Sequence, residues 1–110
     1  MQLTQTVTVL RLSVEVLTAD SLQTVERSLQ EEDAPVIHLD LGDVRLPTAE
    51  GLGALVVLNK ELRARGGALV LLNVTAAVFE VFLLTHLVEL LAISPSWGQG
   101  ATNQVESLFA

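Results

Sequence analysis

Short apolar runs alternate with helix-like segments along almost the whole chain. The run 68–73, ALVLLN, is continuously apolar, which is typical of a strand buried in a parallel sheet. The runs 6–12 and 35–41 are short and rich in branched aliphatic residues, and they are predicted strands. Apolar residues at helical spacing follow at 18–30, 48–65 and 76–84. This alternation predicts an α/β domain in which helices cross over a largely parallel sheet.

Length and composition limit the size of the structure and the kinds of partner. With 110 residues, half of them hydrophobic, the chain is long enough for one domain with one core. The net charge is −7, and the basic cluster Lys60, Arg63 and Arg65 is short. We therefore expect no nucleic-acid binding.

The missing residue types exclude several kinds of chemistry. There is no cysteine, so a disulfide scaffold, a thiol nucleophile and a thiolate metal site are excluded. Neither His38 nor His86 has a second ligand at metal-binding spacing, so no metal or other cofactor is expected. The start MQLTQTVTV lacks the features of a signal peptide, and no apolar run approaches the ~18 residues of a membrane span. A cytoplasmic location without membrane insertion is the expectation.

The stretch 47–55, PTAEGLGAL, opens the central predicted helix and is the candidate site. Thr48 is a suitable N-cap, and Glu50 in the first turn complements the positive end of the helix. Gly51 and Gly53 permit close approach of backbone or of a partner. The stretch contains no serine, cysteine, histidine or lysine, so it is predicted to bind rather than to react.

The third predicted helix, AAVFEVFLL, is apolar almost all round. Its core-facing residues are predicted to be Val78, Val81 and Phe82, whereas Phe79 and Leu83 form a pair at i,i+4 on another side. Such a helix on a small domain needs a second cover. The C-terminal helix, another protein and a second copy of the chain all remain candidates for that cover. On the central helix, Val57 also lies off the core face and can extend this surface.

Residues 38–74, HLDLGDVRLPTAEGLGALVVLNKELRARGGALVLLNV, resemble the signature region of STAS domains, the family of anti-sigma-factor antagonists. The segment 78–93, VFEVFLLTHLVELLAI, resembles the last long helix and closing strand of that family. The resemblance implies a mixed sheet of four or five strands with helices mainly on one side. It implies a STAS domain over 1–94. The residues of 95–110 themselves predict a linker and a C-terminal helix that packs on the domain.

The resemblance also identifies what this chain lacks. The family's helix-opening motif is Asp-Ser-Ser-Gly or Asp-Ser-x-Gly, and a kinase that is itself the anti-sigma factor phosphorylates the first serine. These positions correspond here to Thr48, Ala49, Glu50 and Gly51. Ala49 has no hydroxyl, so no phosphorylation is expected there, and Thr48 is one residue early and engaged as a cap. Glu50 carries one charge where phosphoserine carries nearly two, so it is an incomplete imitation of phosphate.

Two residues after the third helix carry predictions of their own. His86 stands where the family often has a glycine at a helix end, and a left-handed backbone conformation is predicted there. Trp97, in the segment 94–100, is predicted to cover the edge of the core.

The function implied by the resemblance is a protein-interaction module of bacterial signalling, similar to anti-sigma-factor antagonists. No nucleophile–base pair is present, so we expect no enzyme. The expected partner is a kinase-type anti-sigma factor or a related ATPase, bound by Thr48, Ala49, Glu50, Gly51, Gly53, Val57, Phe79 and Leu83. With Ala49 the protein is expected to be permanently in the binding form, although Glu50 leaves a permanently inactive form open.

Two other classes remain open. One is an adaptor subunit of a larger assembly, such as a membrane transporter ATPase complex or a signalling scaffold. The apolar third helix fits such a stable assembly. The other class is a STAS domain that binds a nucleotide or a lipid, but no feature of the sequence supports it specifically.

Overall fold

The computed structural model describes residues 7–29 and 35–97. Helices and strands alternate as predicted, and two single-turn 3₁₀ helices, Asp20–Leu22 and Leu87–Glu89, join them. The strands and α-helices are β1 (Val7–Arg11), β2 (Val16–Leu17), α1 (Gln23–Leu29), β3 (Val36–Asp40), β4 (Leu46–Pro47), α2 (Ala49–Ala64), β5 (Ala68–Val74), α3 (Ala76–Leu84) and β6 (Ala92–Pro95). The predicted C-terminal helix within 95–110 lies outside the described residues.

The main sheet has four strands in the order β1-β3-β5-β6, and all of its pairings are parallel. Its register places Val7 beside Val36 and Val36 beside Ala68. A second sheet contains only β2 and β4, also parallel, with Val16 beside Leu46. Because the strand order advances in one direction, right-handed crossovers place the connecting helices on one face of the sheet. The α/β fold class with a four-stranded main sheet is confirmed, but the described strands pair only in parallel, whereas a mixed sheet was expected.

The core lies between that face of the sheet and the helices. The sheet contributes the buried side chains of Ile37, Leu39, Leu69 and Leu71. Helix α2 contributes Leu52, Leu55, Leu58 and Leu62, and α3 contributes Val78 and Phe82. The alternating strand residues point to the opposite face, where Val9 and Arg11 are exposed and His38 is half-buried.

Residues in the left-handed backbone conformation follow the ends of α2 and α3. Helix α2 stops at Gly66, whose φ is 81°, and the Gly67 amide donates a hydrogen bond to the Leu62 carbonyl at 2.8 Å. His86 has a φ of 63°, so the left-handed conformation predicted for it is confirmed.

Two elements have features that the sequence analysis does not predict. Strand β4 was not predicted, because two residues are too few for any periodicity to appear. Thr75 occupies the N-cap position of α3, but its side chain makes no capping hydrogen bond, and its Oγ1 is buried without a partner among the described residues.

Candidate partner-binding surface at the start of helix α2

Thr48 anchors the start of α2 to strand β2. Its Oγ1 accepts a hydrogen bond from the Gly51 amide at 2.9 Å and donates one to the Leu17 carbonyl at 2.7 Å. The Thr48 amide also donates to the Leu17 carbonyl, at 3.1 Å. The predicted N-cap is therefore confirmed, and the hydroxyl is engaged both as a donor and as an acceptor.

The two glycines of the site have different surroundings. Gly51 is buried, and a Cβ placed on it would lie 2.3 Å from the Leu17 carbonyl oxygen, which is closer than real Cβ atoms come. Gly53 is exposed, and a Cβ there would meet nothing within 4 Å. Gly51 thus permits the close packing of α2 on β2, whereas Gly53 leaves the helix surface open.

Glu50 connects the helix start to the loop that precedes α1. Its Oε1 accepts a hydrogen bond from the Ala19 amide at 3.3 Å. That loop is braced from within, because Thr18 Oγ1 accepts from the Ser21 amide at 3.2 Å and Ser21 Oγ accepts from the Thr18 amide at 3.1 Å. The contact between Glu50 and Ala19 spans 31 residues, so local sequence patterns did not predict it.

An exposed stripe of small and apolar residues runs from the start of α2. Ala49, Gly53 and Val57 follow each other at four-residue spacing and are all exposed, Val57 to 54%. Leu46, which precedes this helix start along the chain, and Val16, its register partner in the β2–β4 sheet, both have exposed side chains. Sequence reasoning missed these two, since a pair of two-residue strands carries no periodic signal.

A polar cluster braces the loop that leads to α2. Arg11 donates two hydrogen bonds to the Asp43 carboxylate, at 2.8 and 3.2 Å. This hydrogen bonding lowers the pKa of Asp43 below its ordinary value and raises that of Arg11. Asp40 accepts hydrogen bonds from the Gly42 amide at 2.8 Å and from Asn73 Nδ2 at 3.0 Å. The cluster fixes the ends of β1, β3 and β5 around the loop 41–47.

The two predicted site residues on α3 are only partly accessible. Phe79 is half-buried, and the Trp97 ring packs edge-on against it with centroids 5.3 Å apart. Trp97 therefore covers the edge of the core, as predicted. Leu83 is also half-buried, while its neighbour Leu84 is 75% exposed. A partner contact through Phe79 and Leu83 stays a prediction, and the structure shows Leu84 exposed on another side of α3.

The described part of the chain gives no indication of a metal centre or of a membrane span. Within it, no three histidine, aspartate or glutamate side chains lie close enough together to hold a metal ion. No helix in residues 7–29 or 35–97 is long and apolar enough to cross a membrane.

Comparison with known proteins gives one match. Searches of curated proteins and of solved structures each found nothing that matches the chain. The family model described as the STAS domain matches residues 1–100, which is most of the chain. The segments that resemble the family, 38–74 and 78–93, lie within that match. The chain therefore belongs to the STAS domain family.

Proposed function

We propose that the protein is an interaction module similar to anti-sigma-factor antagonists and that it binds a kinase-type anti-sigma factor through the start of α2. The proposal rests on the exposure of Gly53, which lies between exposed Ala49 and Val57 on α2 and has open space where a side chain would be. Small residues let a partner's backbone come close to the helix, and Val57 adds apolar contact area. Such a partner places the protein in the cytoplasm.

The rigidity of the helix start supports this proposal. Thr48 and Gly51 are fixed on Leu17, and Glu50 is hydrogen-bonded to Ala19. A surface held in this way loses little conformational entropy when it binds. Binding needs no covalent step, which fits a site without a nucleophile.

We propose that phosphorylation does not regulate binding at this helix start. Ala49 has no hydroxyl, and the Thr48 hydroxyl is engaged with Leu17 and Gly51. Glu50 accepts a hydrogen bond from the Ala19 amide, so its carboxylate is engaged within the chain. These contacts support a protein that is permanently in its binding form.

The test is affinity capture from the native cell lysate with the wild-type protein and two variants. Gly53→Arg fills the open space at the start of α2, and Leu84→Arg places the same side chain on exposed α3 as the control. We expect a histidine-kinase-like ATPase to be captured by the wild type and by Leu84→Arg, and to be lost with Gly53→Arg. Addition of ATP or ADP should change its capture. Capture of the same ATPase by Gly53→Arg would contradict the proposed surface.

The variant Ala49→Ser tests the regulatory part. We expect the captured ATPase, if it is a kinase, to phosphorylate the new serine and then to bind the modified protein at least tenfold more weakly. Phosphorylation is measured by intact mass, with Ala49→Val as the control of similar size that has no hydroxyl. Phosphorylation of the wild type at Thr48 would contradict the proposed permanent binding form.

An adaptor subunit of a larger assembly is the second candidate function, and exposed Leu84 on the apolar helix α3 favours it. Leu84→Glu is the appropriate variant, because Phe79 packs against Trp97 and its replacement would also disturb the fold. Capture of a transporter ATPase without any nucleotide dependence, or self-association lost with Leu84→Glu and kept with Gly53→Arg, would support the adaptor.

A further inference from the structure

A mainly apolar cleft lies beside the C-terminal half of α2, and its centre is about 10 Å along the helix from Gly53, given 1.5 Å per residue. Its volume is about 530 Å³, and it is lined by Val56, Asn59, Lys60, Arg63, Ala64 and Leu90. A smaller space of about 110 Å³ continues from it towards the first residues of β5 and β6. Asn59, Arg63 and Leu90 line both parts, so we treat them as one cleft.

The walls of the cleft are fixed by a buried side chain. Asn59 is only 7% exposed, and its Nδ2 donates a hydrogen bond to the Leu90 carbonyl at 3.2 Å. This bond connects α2 to the turn that precedes β6. The Leu90 side chain nevertheless remains 54% exposed at the cleft. A large apolar side chain is thus left accessible beside a fixed backbone.

The charge at the cleft is opposite to that of the chain as a whole. Lys60 and Arg63 line it at i,i+3 on α2, and neither makes an ion pair with any described residue. The chain has six lysine and arginine residues against thirteen acids, so two unpaired cations beside one apolar cleft form a local exception. Basic residues at the C-terminal end of α2 complement the negative end of the helix dipole, which explains their presence there. The dipole does not explain the apolar cleft between these residues and Leu90.

The shape and chemistry of the cleft fit a polypeptide segment better than a small molecule. Sites for small molecules enclose most of their ligand and place polar groups to orient it. This cleft is open on one side. Thr75 and Trp97 have the buried side-chain atoms that lack a hydrogen-bond partner among the described residues, and neither residue lines the cleft. We infer that the cleft binds an acidic segment of a partner protein, whose apolar side chain contacts Val56 and Leu90 while its carboxylates pair with Lys60 and Arg63.

The test uses the full chain and a pool of synthetic hexapeptides. Each peptide has two acidic residues, two residues chosen from leucine and phenylalanine, and two further acidic residues, with blocked ends. Binding is followed by the amide NMR shifts of the ¹⁵N-labelled protein. We expect shifts at Val56, Lys60, Arg63 and Leu90, at least tenfold weaker binding in Lys60→Glu/Arg63→Glu, and weaker binding at high salt.

The controls separate this inference from the proposed function. Arg27→Glu/Arg45→Glu changes the net charge by the same amount at two exposed arginines outside the cleft lining, and Gly53→Arg replaces no residue of that lining, so both should bind the peptides as the wild type does. A peptide pool with lysine in place of the acids should not bind. Equal binding of the lysine pool, unchanged binding in Lys60→Glu/Arg63→Glu, or no shifts at millimolar peptide would overturn the inference. Peptide binding that persists in Gly53→Arg supports the cleft and does not bear on the proposed function.

Discussion

Gly51 and Gly53 are two residues apart in α2, but they are there for different reasons. At Gly51 the backbone of Leu17 occupies the space that a side chain would need. At Gly53 no described residue has an atom within 4 Å of that space, apart from the chain neighbours and the backbone of α2 itself, so packing does not require glycine. A glycine that packing does not require lowers the stability of the helix. Contact with a partner that needs the space accounts for its presence.

We expect Gly51→Ala to destabilise the protein by about 1–3 kcal/mol, because the added methyl group overlaps the Leu17 carbonyl. Gly53→Ala should stabilise it by about 0.5–1 kcal/mol, because alanine is the better helix former. Urea unfolding of the two variants measures both effects. Equal effects of the same sign would show that the two sites do not differ as described.

Two threonines at N-cap positions provide a second matched pair. Thr48→Ala should lower the free energy of unfolding by about 1–2 kcal/mol, because the Gly51 amide loses its acceptor. Thr75→Val should be neutral or stabilising, since the Thr75 hydroxyl is buried without a partner among the described residues and its burial has a cost of about 1–3 kcal/mol. Urea unfolding tests both, and Thr48→Ser should retain most of the wild-type stability.

At the scale of elements, the loop 41–47 depends on polar contacts at the ends of three strands. Asp43 pairs with Arg11 of β1, while Asp40 of β3 binds Gly42 and, through Asn73, the end of β5. Asn73 itself has a φ of 55°, a conformation that asparagine tolerates better than most residues. The position of the α2 start is thus determined jointly by β1, β3 and β5.

The Arg11–Asp43 pair should make stability depend on pH in the acidic range. Its hydrogen bonds place the folded-state pKa of Asp43 below the unfolded value. The stabilisation is therefore present above the unfolded pKa and is lost as the pH falls through the folded pKa. NMR titration should find a higher Asp43 pKa in Arg11→Gln and a much smaller rise in Arg45→Gln. Identical Asp43 pKa values in Arg11→Gln and the wild type would contradict the pairing.

The contact between α3 and Trp97 can be followed directly, because Trp97 is the only tryptophan of the chain. We expect Phe79→Ala to shift the Trp97 emission to longer wavelength and to destabilise the protein by about 1–3 kcal/mol, less than a fully buried phenylalanine would. Leu84→Ala, at an exposed position, should change stability by less than about 0.5 kcal/mol and leave the emission unchanged. Unchanged emission in Phe79→Ala would contradict the contact.

Local patterns predicted the elements well and their mutual contacts poorly. The helical spacing of apolar residues in 48–65 predicted helix α2, and Thr48 was identified as its cap. The contact of Glu50 with Ala19 and the close approach of Leu17 to Gly51 join residues more than thirty positions apart. Such contacts depend on how β2 pairs with β4, and a strand of two residues is too short to show a periodic pattern in the sequence.

For the whole molecule, the two proposed surfaces share one helix and differ in charge. The start of α2 carries Glu50, whereas the cleft near its end is lined by Lys60 and Arg63. A single partner that binds both needs an acidic segment about 10–15 Å from the part that contacts Gly53, given the rise of an α-helix. Two partners of different charge could otherwise use the two ends of α2 separately.

The exclusively parallel pairing of the described strands also determines how the chain reaches its fold. Val7 pairs with Val36, 29 residues later, and Val36 pairs with Ala68, 32 residues later. No two of these strands are joined by a hairpin, so every strand pairing closes a long loop before it gains any contact. Folding should be slow for a chain of this length, because its helices form from local contacts while its sheet requires distant ones. Helix α2 can therefore form early, but its binding end is complete only when β2 has brought Leu17 against Gly51.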